Sequence, residues 1–224
     1  MVGTEVELRV LGEFDVRIKG ASVSTDWPTR RSAELVQLLA VSPGHRLLRD
    51  EAIDALWPTL SADAGGANLR KAAHHARRAL GDDRAVVLRQ QQVLLYPDAV
   101  IRDDRTEFLA AAQIALEAGD PALAASTVAT YGGDALPGAR YEPWAEAVRA
   151  AVAARYVELL RLAGRWDLLA EVDPTDEPAC LALMQTALAD GRPHRALAHH
   201  GRLSTALREL GVPPSPRVEQ AHAA

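Results

Sequence analysis

Along the first stretch of the chain apolar residues alternate with polar ones; from the first proline onward they recur every three or four positions. Val6, Leu8 and Val10 alternate with polar neighbours, and Phe14, Val16 and Ile18 do the same. Gly12 and Gly20 mark the turns, and 21–24 is a short third strand. So small a sheet buries one face and needs helices against it. Pro28 stands where a helix opens; Leu35, Val36 and Leu39 line its inner face, and Ser-Pro-Gly at 42–44 ends it. A second helix is expected over 49–57, with Ile53, Leu56 and Trp57 inward, Asp50 and Glu51 at its positive end, and Pro58 as its stop. Residues 59–66 read as a flexible loop. A third helix, NLRKAAHHARRAL at 68–80, follows and is closed by Gly81. The apolar runs 85–88 and 93–96, separated by 89–92, make a hairpin.

Beyond a junction at 97–103 the pattern is helical throughout. Helices are expected over 104–118, 121–131, 142–163, 166–172, 176–190 and 194–210, punctuated by Gly119, Gly132-Gly133, Gly138, Gly164 and Gly191. Phe108, Ala112 and Ala115 face inward on the first of them. Paired antiparallel helices of this length stack into an array with a concave groove, a surface suited to binding peptides or other domains. The chain thus divides into an α+β domain at 1–98 and an all-α domain at 104–224, and is mostly helical overall. Sheet, three helices, then a hairpin is the order of a winged helix, in which the third helix enters the major groove of DNA and the hairpin tip reaches the flanking backbone.

The third helix carries the functional signal. At 3.6 residues per turn Leu69, Ala72, Ala73, Ala76 and Leu80 share one side. Lys71, His74 and Arg78 fall opposite, with His75 beside them and Arg70 and Arg77 on the flank. A small apolar face lets the helix lie close on a core, while long cationic side chains can meet phosphates and guanine edges. An ordinary surface helix is also charged on its solvated face, so the segment alone does not decide; its place as third helix before a hairpin, with Arg89 at the tip, favours DNA. Charge is local: the chain is −5 overall, yet residues 1–100 hold 13 basic and 13 acidic side chains. Between 66 and 89, six basic side chains stand against Asp82 and Asp83. A small specific footprint fits this pattern and general coating of a polyanion does not.

These residues also carry a resemblance. LRVLGEFDVRI, the helix ending DALWP, and ANLRKAAHHARRALG resemble the OmpR-type DNA-binding domain of the SARP (AfsR-like) bacterial transcriptional activators. YEPWAEAVRAAV at 141–152 and ALRELGVPPSPRVEQA at 206–221 are similar to the bacterial transcriptional activator domain, a helical module like tetratricopeptide repeats. The resemblance implies an OmpR-type winged helix followed by an all-α TPR-like domain. It also implies an activator that dimerises on direct-repeat promoter sites of double-stranded DNA and recruits RNA polymerase, the polymerase contact falling at 59–66. Two departures stand out. Wings of the family commonly carry glycine at the tip, where this chain has Gln90-Gln91-Gln92, and the segment after Gly164 is shorter than the family's usual helical pair.

Other chemistry finds little support. His74-His75 and His199-His200 are adjacent pairs, which point about 100° apart on a helix and chelate poorly. With no Cys-x-x-Cys and no His-Glu-x-x-His, no metal and no cofactor is expected. No phosphate-cradling glycine loop, Gly-x-Ser-x-Gly elbow or carboxylate pair argues for catalysis, so the chain is not read as an enzyme. Cys180, the single cysteine, lies on an apolar stripe with Leu183, Met184 and Leu188 and reads as a buried structural thiol in a reducing cytoplasm. The N-terminus lacks the apolar core of a signal peptide, and no long apolar run suggests a membrane span. Trp57 and Trp144 read as core, Trp166 as partly exposed.

The expected DNA contacts are therefore Arg70, Lys71, His74, His75 and Arg78 in the major groove, with Arg77 and Arg89 on backbone phosphates. Arg30 and Arg31, at the start of the first helix, read equally as a phosphate contact or a solvated pair. Two alternative readings remain: a protein-interaction adaptor whose winged helix has lost DNA binding, and an enzyme or small-molecule-binding protein built on the helical half.

Overall fold

A computed structural model describes residues 5–23 and 26–223, the last without its side chain; Ser24, the end of the expected third strand, lies outside them. Packing divides the chain into one unit of 1–110 with 131–153 and a second of 111–130 with 154–224.

In the first unit β1 (Glu5–Arg9) pairs antiparallel with β2 (Asp15–Ile18), which pairs with β3 (Ala21–Ser22). Val6 faces Ile18 and Leu8 faces Val16, so the alternation read from the sequence buries Val6, Leu8, Val10 and Val16 on one face. α1 (Arg30–Val41) begins two residues after Pro28, because Thr29 is its cap: the Thr29 hydroxyl accepts from Ser32 N at 3.2 Å and Thr29 N donates to Ser32 Oγ at 3.3 Å. After a short turn at Pro43–His45 comes β4 (Arg46–Leu48), a strand too short to show a period, and then α2 (Arg49–Leu56). α3 (Ala62–Leu80) is followed by β5 (Val86–Arg89) and β6 (Gln92–Leu95), which form a three-stranded sheet in the order β4-β6-β5. The supposed junction supplies β7 (Val100–Asp103), parallel to β1 with Val6 opposite Ile101. Pairing with a strand more than ninety residues away leaves no local pattern to read.

The expected flexible loop at 59–66 is a correction. Ser61 caps α3 through Ala64 N, and the helix runs through Gly65 and Gly66. A helical glycine costs about 0.5–1 kcal/mol against alanine, which is why the pair read as loop. Gly65 is nevertheless required there: a side-chain carbon on it would lie 2.3 Å from Ile53 Cγ2, so its absence lets α2 and α3 touch.

The segment 131–153 returns to the first unit. Leu11 bridges Ala135, Gly12 N donates to Asp134 O at 3.0 Å and Leu136 N to Val10 O at 2.9 Å. The backbones approach so closely that a side-chain carbon on Gly12 would sit 2.6 Å from Gly132 O.

The remaining helices are α4 (Asp104–Ala118), α5 (Pro121–Val128), α6 (Pro143–Leu162), α7 (Trp166–Val172), α8 (Glu177–Ala189), α9 (Pro193–Glu209) and α10 (Pro216–Ala223). In the second unit α8 and α9 pack as an antiparallel pair around Cys180, Met184, Leu203 and Leu207, and α10 closes the cluster with the fully buried Val218. Cys180 is buried as expected, and burial, then the Glu177 charge, pushes its thiol up to about 11. Leu188, expected on the same stripe, is exposed. Trp57 and Trp144 are half-buried, not core, as Trp166 is. The molecule is mostly helical with two small sheets, an order that fits a winged helix and a helical domain. Among the described residues no helix is long and apolar enough to cross a membrane.

Candidate nucleic-acid interface

α3 is held at both ends by its own sequence. Asp63 in the first turn and Arg77 and Arg78 in the last complement the helix dipole, and Gly81, at φ 65°, turns the chain left-handed to cap the final carbonyls. Leu69, Ala72, Ala73, Ala76 and Leu80 are buried, and Ala79 joins them. Alanine on that face keeps α3 close to α1 and α2, which stiffens the rod that carries the charges.

Arg70, Lys71, His74 and Arg78 are exposed and share an arc of about 100° on the opposite face. Among the described residues Arg70, Lys71 and Arg78 have no hydrogen-bond or ion-pair partner. His75 differs: it is half-buried, its Nδ1 is enclosed without a partner, and its ring lies 5.6 Å from that of His74. Arg77 is turned to the hairpin, where its Nε donates to Val86 O at 2.7 Å and ties α3 to β5.

The hairpin tip needs no glycine. Gln90 (φ 49°) and Gln91 (φ 62°) make a two-residue turn with both residues left-handed, and Arg89 faces Gln92 across it. Left-handed backbone costs a residue with a side chain about 1–2 kcal/mol. Here Arg49 offsets it: its N–H donates to Gln91 O at 2.8 Å and its Nη1 to Gln91 Oε1 at 3.3 Å. Arg89 projects from this turn, exposed and, among the described residues, without an ion-pair partner.

Arg49 is a residue sequence reading missed. A side-chain carbon on Gly66 would lie 3.6 Å from Arg49 Nη2 and 3.7 Å from Arg70 Nη1, so the two guanidinium groups converge over that glycine with no carboxylate between them. Its one sequence signal was an arginine at the first position of the second helix.

Arg30 and Arg31 belong to a different cluster. Arg30 Nε lies 2.5 Å from Glu34 and its Nη2 2.6 Å from Glu142; Arg31 Nη1 lies 2.6 Å from Glu34. Hydrogen bonding to the Glu34 carboxylate, then its charge, raises the Arg30 pKa further. Both are ion-paired as well as solvated: the exposed Arg30 and the half-exposed Arg31 neutralise the buried Glu34, and Arg30 links 131–153 to α1 through Glu142.

No protein-family model matches this chain, and no curated protein matches it. A solved structure of Mycobacterium tuberculosis EmbR, in complex with a low affinity phosphopeptide, is similar over 98% of this chain, with a TM-score of 0.67 and 19% identity. The chain spans 64% of that one's length. At this identity the likeness is one of fold.

Proposed function

We propose that this chain is a sequence-specific DNA-binding transcriptional regulator of the SARP type, with an OmpR-type winged helix at its N-terminus and a TPR-like activator domain after it. The observation that carries the reading is the exposed arc of Arg70, Lys71, His74 and Arg78, whose three cations have no partner among the described residues, on a helix whose other face is packed alanine and leucine. Cations gathered on one face raise the local concentration of anions there and steer a polyanion to it. α3 reads base edges in the major groove, Arg49 and Arg89 hold backbone phosphates on either side, and Arg77 positions the wing. The fold shared with EmbR supports this arrangement. The resemblance in sequence adds the finer parts: activation by recruiting RNA polymerase, and a homodimer on direct repeats, in the cytoplasm and without catalysis.

The test is a mobility-shift titration of duplex containing the operator across salt concentrations. Each phosphate neutralised contributes about 0.9 to the slope of log affinity against log salt, and each good base contact about 1–3 kcal/mol of discrimination. Arg78→Ala is expected to weaken specific binding tenfold or more with an unchanged Tm. Absence of duplex affinity at low salt would leave the adaptor reading in its place.

A further inference from the structure

Cations without partners occur again in the second unit, in a concave setting. A cavity of about 810 Å³ opens between α7, α8 and α9. Its floor is apolar, formed by Leu203, Cys180 and Leu183 with Ala198 and Ala206 beside them. A smaller recess of about 260 Å³ shares Leu183, Ala198, His199 and Arg202 with it and adds Arg195. Arg195, His199 and Arg202 stand at i, i+4 and i+7 of α9, on one face of the helix.

The charges at this end are unbalanced. Asp167, the acid of the recess, is held by Arg165 at 3.2 Å. Asp176 is engaged on both oxygens, by Arg161 Nη2 at 2.5 Å and by Ala179 N at 2.8 Å. Among the described residues neither Arg195 nor Arg202 has a hydrogen-bond or ion-pair partner. The half-buried His199 feels both of them: burial first, then Arg202 and Arg195, lowers its pKa below the ordinary value. The free acids, Glu171 and Glu209, line only the larger cavity, and Glu209 lies about 10 Å along α9 from Arg202.

One residue of α9 leaves its side of the cavity rim without a side chain. Gly201 sits in the interior of α9 and lines the cavity, and a side-chain carbon on it would meet nothing within 4 Å. A helical glycine that no neighbour requires forgoes about 0.5–1 kcal/mol of helix stability, and here it leaves the exposed rim of the cavity without a side chain.

We propose that the cavity between α7, α8 and α9 binds a small amphipathic anion charged at one end only, its carboxylate or phosphate against Arg195 and Arg202 and its apolar body on Leu183 and Leu203. The volume lies in the range of small-molecule sites, about 300–1,000 Å³. An apolar floor with a cationic end rejects both a bare anion and a neutral chain. Glu209, about 10 Å along α9 from Arg202, disfavours a second negative charge at the other end of the ligand, which sets its polarity.

The experiment uses the full chain and decanoate as probe, below its micellar concentration. Binding is followed by calorimetry and by the ring resonances of His199. Decanoate is expected to bind at least tenfold more tightly than 1-decanol, acetate or the dianion decanedioate. It should also raise the His199 pKa, because the bound carboxylate offsets the two arginines. Decyl phosphate binding more tightly than decanoate would assign the head group to phosphate, and the reverse to carboxylate; either order sustains the site. Arg202→Ala should cost decanoate tenfold or more and leave 1-decanol unchanged, and Gly201→Leu should block decanoate while Tm is retained. Equal affinity for decanoate and 1-decanol, no binding of decanoate, or a His199 resonance that does not respond would overturn the proposal. Duplex binding by α3 is not read in this experiment, so the two proposals fail separately.

Discussion

α3 and α9 are both helices of arginine, histidine and alanine, and each turns unpartnered cations to one side, yet they present them to different shapes. Behind the cations of α3 the helix is packed without slack: Gly65 is there because Ile53 leaves no room for a carbon atom. α9 packs its Leu203 side in the same way, but beside its cations a cavity opens, and Gly201 on its exposed side faces open space. The same composition therefore makes a convex cationic rod in one unit and the charged end of a hollow in the other. On the two proposals above, the rod offers its charges to something larger than itself, a polyanion whose groove accepts a helix, and the hollow to something smaller. The difference teaches that the class of ligand follows from what lies beside the helix, not from the helix alone.

The two glycines give the sharpest way to break this comparison. Gly65→Ala drives a methyl group into Ile53, and overpacking of this kind costs about 1–3 kcal/mol, more than the up to about 1 kcal/mol that alanine returns to the helix. A lower denaturant midpoint and weakened duplex binding are expected together, since α2 and α3 must separate. A stable variant with full DNA affinity would show that their spacing does not matter. Gly201→Ala should move the other way: with space on its open side, it gains about 0.5–1 kcal/mol from helix propensity, read as a higher midpoint. A loss of stability there would mean that the wall is not open.

The smallest effect separates the cations themselves. His199 has a folded pKa below its ordinary value of 6.5, so the fold favours the neutral ring. The stability this gives is present above pH 6.5 and is lost as pH falls through that value toward the folded pKa. The Tm of the wild type is expected to fall more steeply between pH 7 and pH 5.5 than that of His199→Gln, and removing Arg202 should shrink the difference. Parallel curves would show that the arginines do not act on this ring.

Legibility in the sequence followed the range of the interactions. The strands of the first hairpin, α2, and most helices downstream were plain, because alternation and 3.6-residue periodicity are local records of which face is buried. The cationic arc of α3 was readable for the same reason, as was the buried Cys180. β4 and β7 were not: each is defined by a partner strand distant in sequence. Gly65-Gly66 misled because local propensity there is overruled by a tertiary contact with Ile53. For Arg30 and Arg31 the sequence left a phosphate contact and a solvated pair equally open, and it could not show that Glu142, 112 residues from Arg30, is one of the partners. Arg49 was overlooked because its importance lies in Gln91 and Gly66, one on the wing and one on the next helix.

What the amino-acid order determined by itself was the sequence of elements and which side of each turns inward, since burying an apolar stripe is decided residue by residue along one helix or strand. Tertiary structure alone decided which cations remained without a carboxylate. Charge pairing depends on distances of a few ångströms between segments far apart in the chain, so Arg30 and Arg70 carry the same side chain and the same formal charge, and only folding sends one to a buried glutamate and leaves the other free for a ligand.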